Sequence, residues 1–238
     1  MNTKAIIFDK DGTLIDFDCF WVTITRWALV DLLKELGRED ISPDEVLCAI
    51  GVEDGVTDIT SVFSYGTFAQ VGQCIHAYLL TRGCVCDEAL VIARVQALFH
   101  DHLDKGIIAP GCPDVFGLLH RLREMGLTLA VATTDDPVTT GRCLRSLGIE
   151  DCFERVYTDD GVCPSKPDPF IIHDLCRRLS LTPEQVVMVG DSVNDMRFAR
   201  NGGVRAVGVA KGAKNHATLT QYADAVIPDI SHILEVIE

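Results

Sequence analysis

The sequence predicts an α/β protein: a doubly wound, mostly parallel sheet with an all-helical domain inserted after its first strand. Three observations carry this reading. The chain begins with a short apolar run closed by an acid, AIIFD, followed by the turn dipeptide Asp11-Gly12. A long stretch of helical periodicity comes next. Beyond Pro110-Gly111, strand-like and helix-like segments alternate to the end.

AIIFD is apolar, short and bounded by a turn, so it reads as a buried strand with a loop at its carboxyl end, which places Asp9 and Asp11 at a strand tip. FWVTITRWALVDLLKELG, from Phe17, reads as a helix closing on Gly37. Ser42-Pro43-Asp44-Glu45 has the form of a capping box with proline at the first helical position. Two further helices are expected from about Phe63 to Thr81 and from Asp87 to Asp104. After Pro110-Gly111 come a helix (PDVFGLLHRLREMG), a strand (LTLAVATT), a helix (VTTGRCLRSLG), a short strand near RVYT and a helix (DPFIIHDLCRRL). The strand QVVMVGD, the helix VNDMRFARNGG and the strands RAVGVA and DAVI complete the series. GVAKGAKN lacks the full spacing of a phosphate loop, so it reads as a surface loop and does not imply ATP. The expected domains are a core of residues 1–16 and 106–238 and an insertion of residues 17–105, hinged near 16–18 and 105–110. The insertion is expected to lie over the strand tips.

At 238 residues, 47% hydrophobic and 24% charged, the chain can bury a real core. No apolar run reaches membrane-span length and no signal-peptide pattern opens the sequence, so a cytoplasmic protein is expected. Ten cysteines scattered among Ile, Leu and Val read as reduced core thiols. A formal charge of −14 with no basic block disfavours nucleic acid.

Open α/β sheets bind ligands outside the carboxyl ends of their strands. Three predicted strands end there in Asp9-Lys10-Asp11-Gly12-Thr13, Thr133-Thr134-Asp135-Asp136 and Asp191-Ser192-Val193-Asn194-Asp195. Between the last two lies Ser165-Lys166-Pro167-Asp168-Pro169. A carboxylate cluster without cysteine or histidine suits a hard cation, and a site that can hold one or two carboxylates, waters and a phosphate is the Mg²⁺ pattern rather than the Zn²⁺ one.

In this order, Asp-x-Asp-Gly-Thr, a strand-end Thr, Lys-Pro-x-Pro and Gly-Asp-Ser-x-x-Asp resemble the four motifs of the haloacid dehalogenase superfamily. The helical insertion is similar to the C1 cap of its phosphoglycolate-phosphatase-like branch. The resemblance implies that Asp9 attacks phosphorus while Asp11 protonates the leaving oxygen and later deprotonates water. It implies that Thr133 and Lys166 hold the phosphoryl oxygens, with the backbone of Lys10 and Asp11 helping. Mg²⁺ would be bound by Asp9, the Asp11 carbonyl and Asp191, with Asp195 in support, and Gly12 and Thr13 would shape the loop. Thr134, Phe17 and Phe20 are the candidate substrate contacts. Three positions depart from the family pattern: Phe17 replaces a small hydroxyl residue, Thr134 an asparagine and Ser165 a glycine. The first two bear on the substrate rather than the chemistry, and Asp11 favours phosphate esters over dehalogenation.

The expectation is therefore a Mg²⁺-dependent phosphatase, a monomer or homodimer, acting on a small-molecule phosphate ester, with phosphoglycolate as the family-level substrate. The alternatives are a β-phosphoglucomutase-like phosphomutase, an inorganic pyrophosphatase, or a non-catalytic binding protein of the same fold. Asp135 and Asp136 read as a helix N-cap before Pro137 rather than metal ligands. Cys84-x-Cys86, His100 and His102 lack zinc-site spacing, and Cys163 reads as a plain loop residue. Trp21 and Trp27 fit helical packing.

Overall fold

The computed structural model describes residues 2–237. The chain divides into two compact units, Met1–Asp16 with Ile108–Glu238, and Phe17–Ile107.

The first unit opens with β1 (Ala5–Phe8), every residue of which is buried. Within the second unit lie α1 (Thr23–Glu35), α2 (Pro43–Ile50), a hairpin of β2 (Val52–Glu53) and β3 (Val56–Thr57), α3 (Val62–Tyr65), α4 (Phe68–Thr81) and α5 (Glu88–Asp101). The first unit resumes with α6 (Val115–Glu124), β4 (Thr128–Ala132), α7 (Pro137–Ser146), β5 (Arg155–Tyr157), α8 (Phe170–Leu179) and β6 (Val186–Gly190). It closes with α9 (Val193–Gly202), β7 (Arg205–Val209), α10 (Gly212–Leu219) and β8 (Ala225–Ile227).

The core sheet has six parallel strands in the order β5-β4-β1-β6-β7-β8. β1 and β6 are buried throughout, as a parallel sheet covered on both faces requires. The chain moves outward from β1 through β4 to β5, then crosses to β6 on the other side of β1, so the topology reverses between β1 and β6. Ligands bind α/β sheets at such a switch point. The register brings the tips level: Phe8 pairs with both Val131 and Val189. One or two residues on, the three strands deliver Asp9, Thr133 and Asp191 to the same edge.

In the second unit, α1 buries Ile24, Thr25, Ala28, Leu29, Leu32 and Leu33, a stripe at helical spacing. α4 packs closely on α5 at Gly72, where a Cβ would stand 3.0 Å from the Ile92 Cα, tighter than an ordinary contact. Ser42 caps α2 through the Asp44 amide, with Pro43 in the first turn.

Three local expectations are corrected. The insertion is helical except at Asp54-Gly55, where both residues take positive φ and close the β2-β3 hairpin. The helix expected from Phe63 breaks at Gly66, whose backbone is extended, and Thr67 starts α4 with a capping box to Gln70. GVAKGAKN is the end of β7 followed by the start of α10, rather than a loop. Among the described residues, no helix is long and apolar enough to cross a membrane.

Candidate active site

Asp9 follows β1 directly, and its amide is tied to the Val189 carbonyl at 2.8 Å, so the nucleophile candidate hangs from the sheet itself. The next residues fold into a tight loop: Leu14 and Ile15 amides both return to the Lys10 carbonyl at 2.9 Å, and Gly12 donates to Ile15 at 2.7 Å. Gly12 takes φ +74° here. A Cβ at that position would lie 2.0 Å from an Asp191 carboxylate oxygen, so glycine lets the loop and the β6 tip close on each other.

Lys166 is buried and its Nζ lies 2.6 Å from Asp9 Oδ1 and 2.6 Å from Asp195 Oδ1. The Lys166-Pro167 peptide is cis. Asp195 is fixed from its other oxygen, which accepts from the Ser192 hydroxyl at 2.6 Å and the Ser192 amide at 3.1 Å in the capping box that opens α9. Asn194 ties the same turn to the Lys166 carbonyl at 3.4 Å. Thr133 is buried at the β4 tip, its amide bonded to the Tyr157 carbonyl at 3.0 Å. Its hydroxyl oxygen accepts from the Asp135 amide at 3.2 Å.

One oxygen each of Asp9, Asp191 and Asp195 lies within 4.8 Å of the others. Burial drives the Asp9 carboxyl up; Lys166 opposes this and Asp195 and Asp11 add to it, leaving it at about 7. Asp191, though partly open to solvent, is also pushed well above the carboxylate range by burial, then by Asp9 and Asp195. Burial disfavours the Lys166 charge, but Asp195 and Asp9 outweigh it and keep the ammonium protonated. These acids hold more negative charge than one lysine offsets. A donor set of oxygens alone, with charge left over, fits a hard divalent cation.

The structure thus brings together Asp9, Lys166, Asp191 and Asp195, with Asp11 and Thr133 on the neighbouring loops. Asp11 stands outside the three-carboxylate group, and its side chain meets Lys10 Nζ at 2.6 Å. Thr134 is exposed beside Thr133. Phe17 and Phe20 fall in the other unit: Phe17 stacks edge-on against Phe63 at 5.5 Å, and Phe20 is fully buried against Trp21 at 5.2 Å. Phe20 is therefore packing within the helical unit, where its ring lies 2.6 Å from the place a Gly106 Cβ would occupy.

Sequence reasoning assigned a part to the backbone of Lys10 and none to its side chain. That side chain is fully buried and, besides Asp11, pairs with Asp135 at 2.9 Å. The N-cap reading holds for Asp136, which accepts from the Val138 and Thr139 amides at 2.8 and 2.9 Å. Asp135 points elsewhere.

A family model described as haloacid dehalogenase-like hydrolase matches residues 3–203. The chain belongs to that family. As a haloacid dehalogenase-like hydrolase it is similar, at 28% identity over 99% of its length and 96% of the relative's, to the pyrophosphatase PpaX of Bacillus velezensis. It is also 28% identical to the phosphoglycolate phosphatase of Neisseria meningitidis, covering 96% of this chain and 88% of that one. A crystal structure described as a predicted phosphoglycolate phosphatase from Haemophilus somnus superposes with a TM-score of 0.73 at 24% identity, over 100% of this chain and 99% of that one. This last likeness concerns the fold.

Proposed function

We propose that this hydrolase is a Mg²⁺-dependent phosphatase that cleaves a small-molecule phosphate monoester through an aspartyl-phosphate on Asp9. The observation that carries the reading is the position of Asp9: at the switch point of the sheet, 2.6 Å from a buried lysine, sharing its cluster with Asp191 and Asp195.

In the first step an Asp9 oxygen forms a bond to phosphorus as the bond from phosphorus to the ester oxygen breaks, and Asp11 gives that oxygen a proton. In the second, a water oxygen bonds to phosphorus, its proton goes to Asp11, and the bond to Asp9 breaks to release phosphate. Lys166 and the Thr133 hydroxyl neutralise and hold the phosphoryl oxygens. Because Thr133 already accepts from the Asp135 amide, its own proton is left to donate. Asp9, Asp191 and the Asp11 carbonyl would hold Mg²⁺, with Asp195 in support. The cation supplies charge neutralisation at the phosphoryl group.

The names of the relatives support phosphate chemistry and differ in substrate, so phosphoglycolate and pyrophosphate both belong in the test. The second unit, Phe17–Ile107, is proposed as the cap that selects the substrate. The test is phosphate release from phosphoglycolate, sugar phosphates, nucleotides, pyrophosphate and an aryl phosphate, with Mg²⁺ or EDTA. Turnover that requires Mg²⁺ and disappears in Asp9→Asn is expected. Undiminished turnover in that variant overturns the role of Asp9.

A further inference from the structure

The two acids of the first loop are each served by a separate lysine, and each lysine is shared with a second carboxylate. Lys166 joins Asp9 to Asp195. On the β4 side, Lys10 joins Asp11 at 2.6 Å to Asp135 at 2.9 Å, and the Lys10 side chain has no exposure to solvent. A buried ammonium is costly unless its partners are held in place. Asp135 is held: its amide donates to the Thr133 hydroxyl at 3.2 Å and its carbonyl accepts from the Asp159 amide at 2.8 Å. Lys10 is held too, its carbonyl taking the two amides that close the loop. The Asp11 side chain is 16% exposed and that of Asp135 18%, against none for Lys10, so the two carboxyls flank a fully enclosed ammonium; what sets Asp135 apart is its backbone, tied on both sides.

We propose that Lys10 is a positioning residue that aims the Asp11 carboxyl, and that Asp135 is the fixed anion that anchors Lys10 for this purpose. The proposal rests on the reading of Asp11 as proton donor to the leaving oxygen. A shared lysine lets Asp11 turn toward that oxygen without stranding a buried charge, because Asp135 remains paired with Lys10. Asp135 thereby serves the reaction without touching substrate.

A proton donor matters most when the leaving group is a strong base, so the readout is selectivity across aryl phosphates from phenyl to 2,4-dinitrophenyl phosphate. The quantity compared is kcat/KM, which reports the step that phosphorylates Asp9. For Lys10→Met, kcat/KM on phenyl phosphate is expected to fall by about 10- to 100-fold, the scale of a misplaced group, and on dinitrophenyl phosphate by less than about 3-fold. Asp135→Asn keeps the Lys10 to Asp11 pair and is expected to show the same selective loss at about 3- to 10-fold; it decides the matter if Lys10→Met does not fold. Lys10→Arg recovers part of the phenyl phosphate rate. Equal losses on both esters, or no loss, overturn the proposal. Asp11→Asn is the control for the underlying reading: if it too loses activity equally on both esters, Asp11 is not the donor and that reading fails first.

Discussion

Replacing Gly12 by alanine tests the metal geometry with one methyl group. The added Cβ falls 2.0 Å from an Asp191 oxygen and 2.3 Å from its carboxyl carbon, where ordinary contact begins at 3.4 Å. The loop and the acid must therefore separate by about 1.4 Å, and a displacement of about 1 Å at reacting groups can cost on the order of 100-fold in rate. The backbone adds its own term, because φ +74° is left-handed and disfavours a Cβ by about 1 kcal/mol. In a chain of this size that corresponds to a fall in Tm of about 2–4 °C. Gly12→Ala should accordingly fold, melt a few degrees lower and lose about 100-fold in kcat. Its Mg²⁺ half-saturation should rise about 10-fold or more, since Asp191 is pushed off station. The assay is phosphate release across a Mg²⁺ titration, beside thermal unfolding. A variant with the wild-type Mg²⁺ half-saturation would refute the placement of Asp191 in the metal site.

Lys166→Met leaves Asp9 and Asp195 buried without their shared counter-charge, and thermal unfolding in EDTA should show a loss of about 3 kcal/mol or more; a change below about 1 kcal/mol would mean the acids find other partners. Asp9, pushed up to about 7, binds its proton more tightly folded than unfolded, so the metal-free protein should lose stability as pH rises from about 4 to about 7. On the proposed Mg²⁺ assignment the cation would favour the ionised form, so the Tm gain on adding it should grow from pH 5 to pH 8, and a flat gain would contradict the assignment. Asp174 is the opposite case: its hydrogen bond from Arg178 outweighs burial, and with those from Tyr157 and Arg177 it holds the carboxyl down to about 2. Asp174→Asn should cost about 1 kcal/mol at neutral pH, with the difference from wild type fading as pH falls through about 4 toward 2.

Much of the core was readable because each strand is apolar and ends in a polar turn. AIIF, TLAVA and VVMVG are buried nearly throughout, and the residues that follow them are the ones that gather at the sheet edge. What escaped has local causes. The β2-β3 hairpin has strands of two residues, too short for an alternation to appear, although Asp54-Gly55 is a hairpin turn signal. Gly-Ala-Lys-Asn-His-Ala-Thr-Leu in α10 mixes poor and good helix formers, and Asn215 and Leu219 are the residues it buries. The Lys10 side chain gave no signal in sequence, because Asp135, the partner that helps to bury it, follows a different strand.

The backbone at the foot of the insertion carries an evolutionary consequence. Asp16 donates to the Ala109 carbonyl at 2.9 Å and Gly111 to the Leu14 carbonyl at 2.8 Å, with Ile15 opposite Pro110 in an antiparallel bridge. The core therefore meets the inserted residues as a hairpin meets its loop, and loop length is only weakly penalised. A tight turn from residue 16 to residue 109 would restore a continuous chain around the same acids. The hydrogen bonds that close this junction lie wholly within residues 14–16 and 109–111, so the length and content of the inserted unit can vary across a lineage while β1 and the aspartates beyond it keep their register.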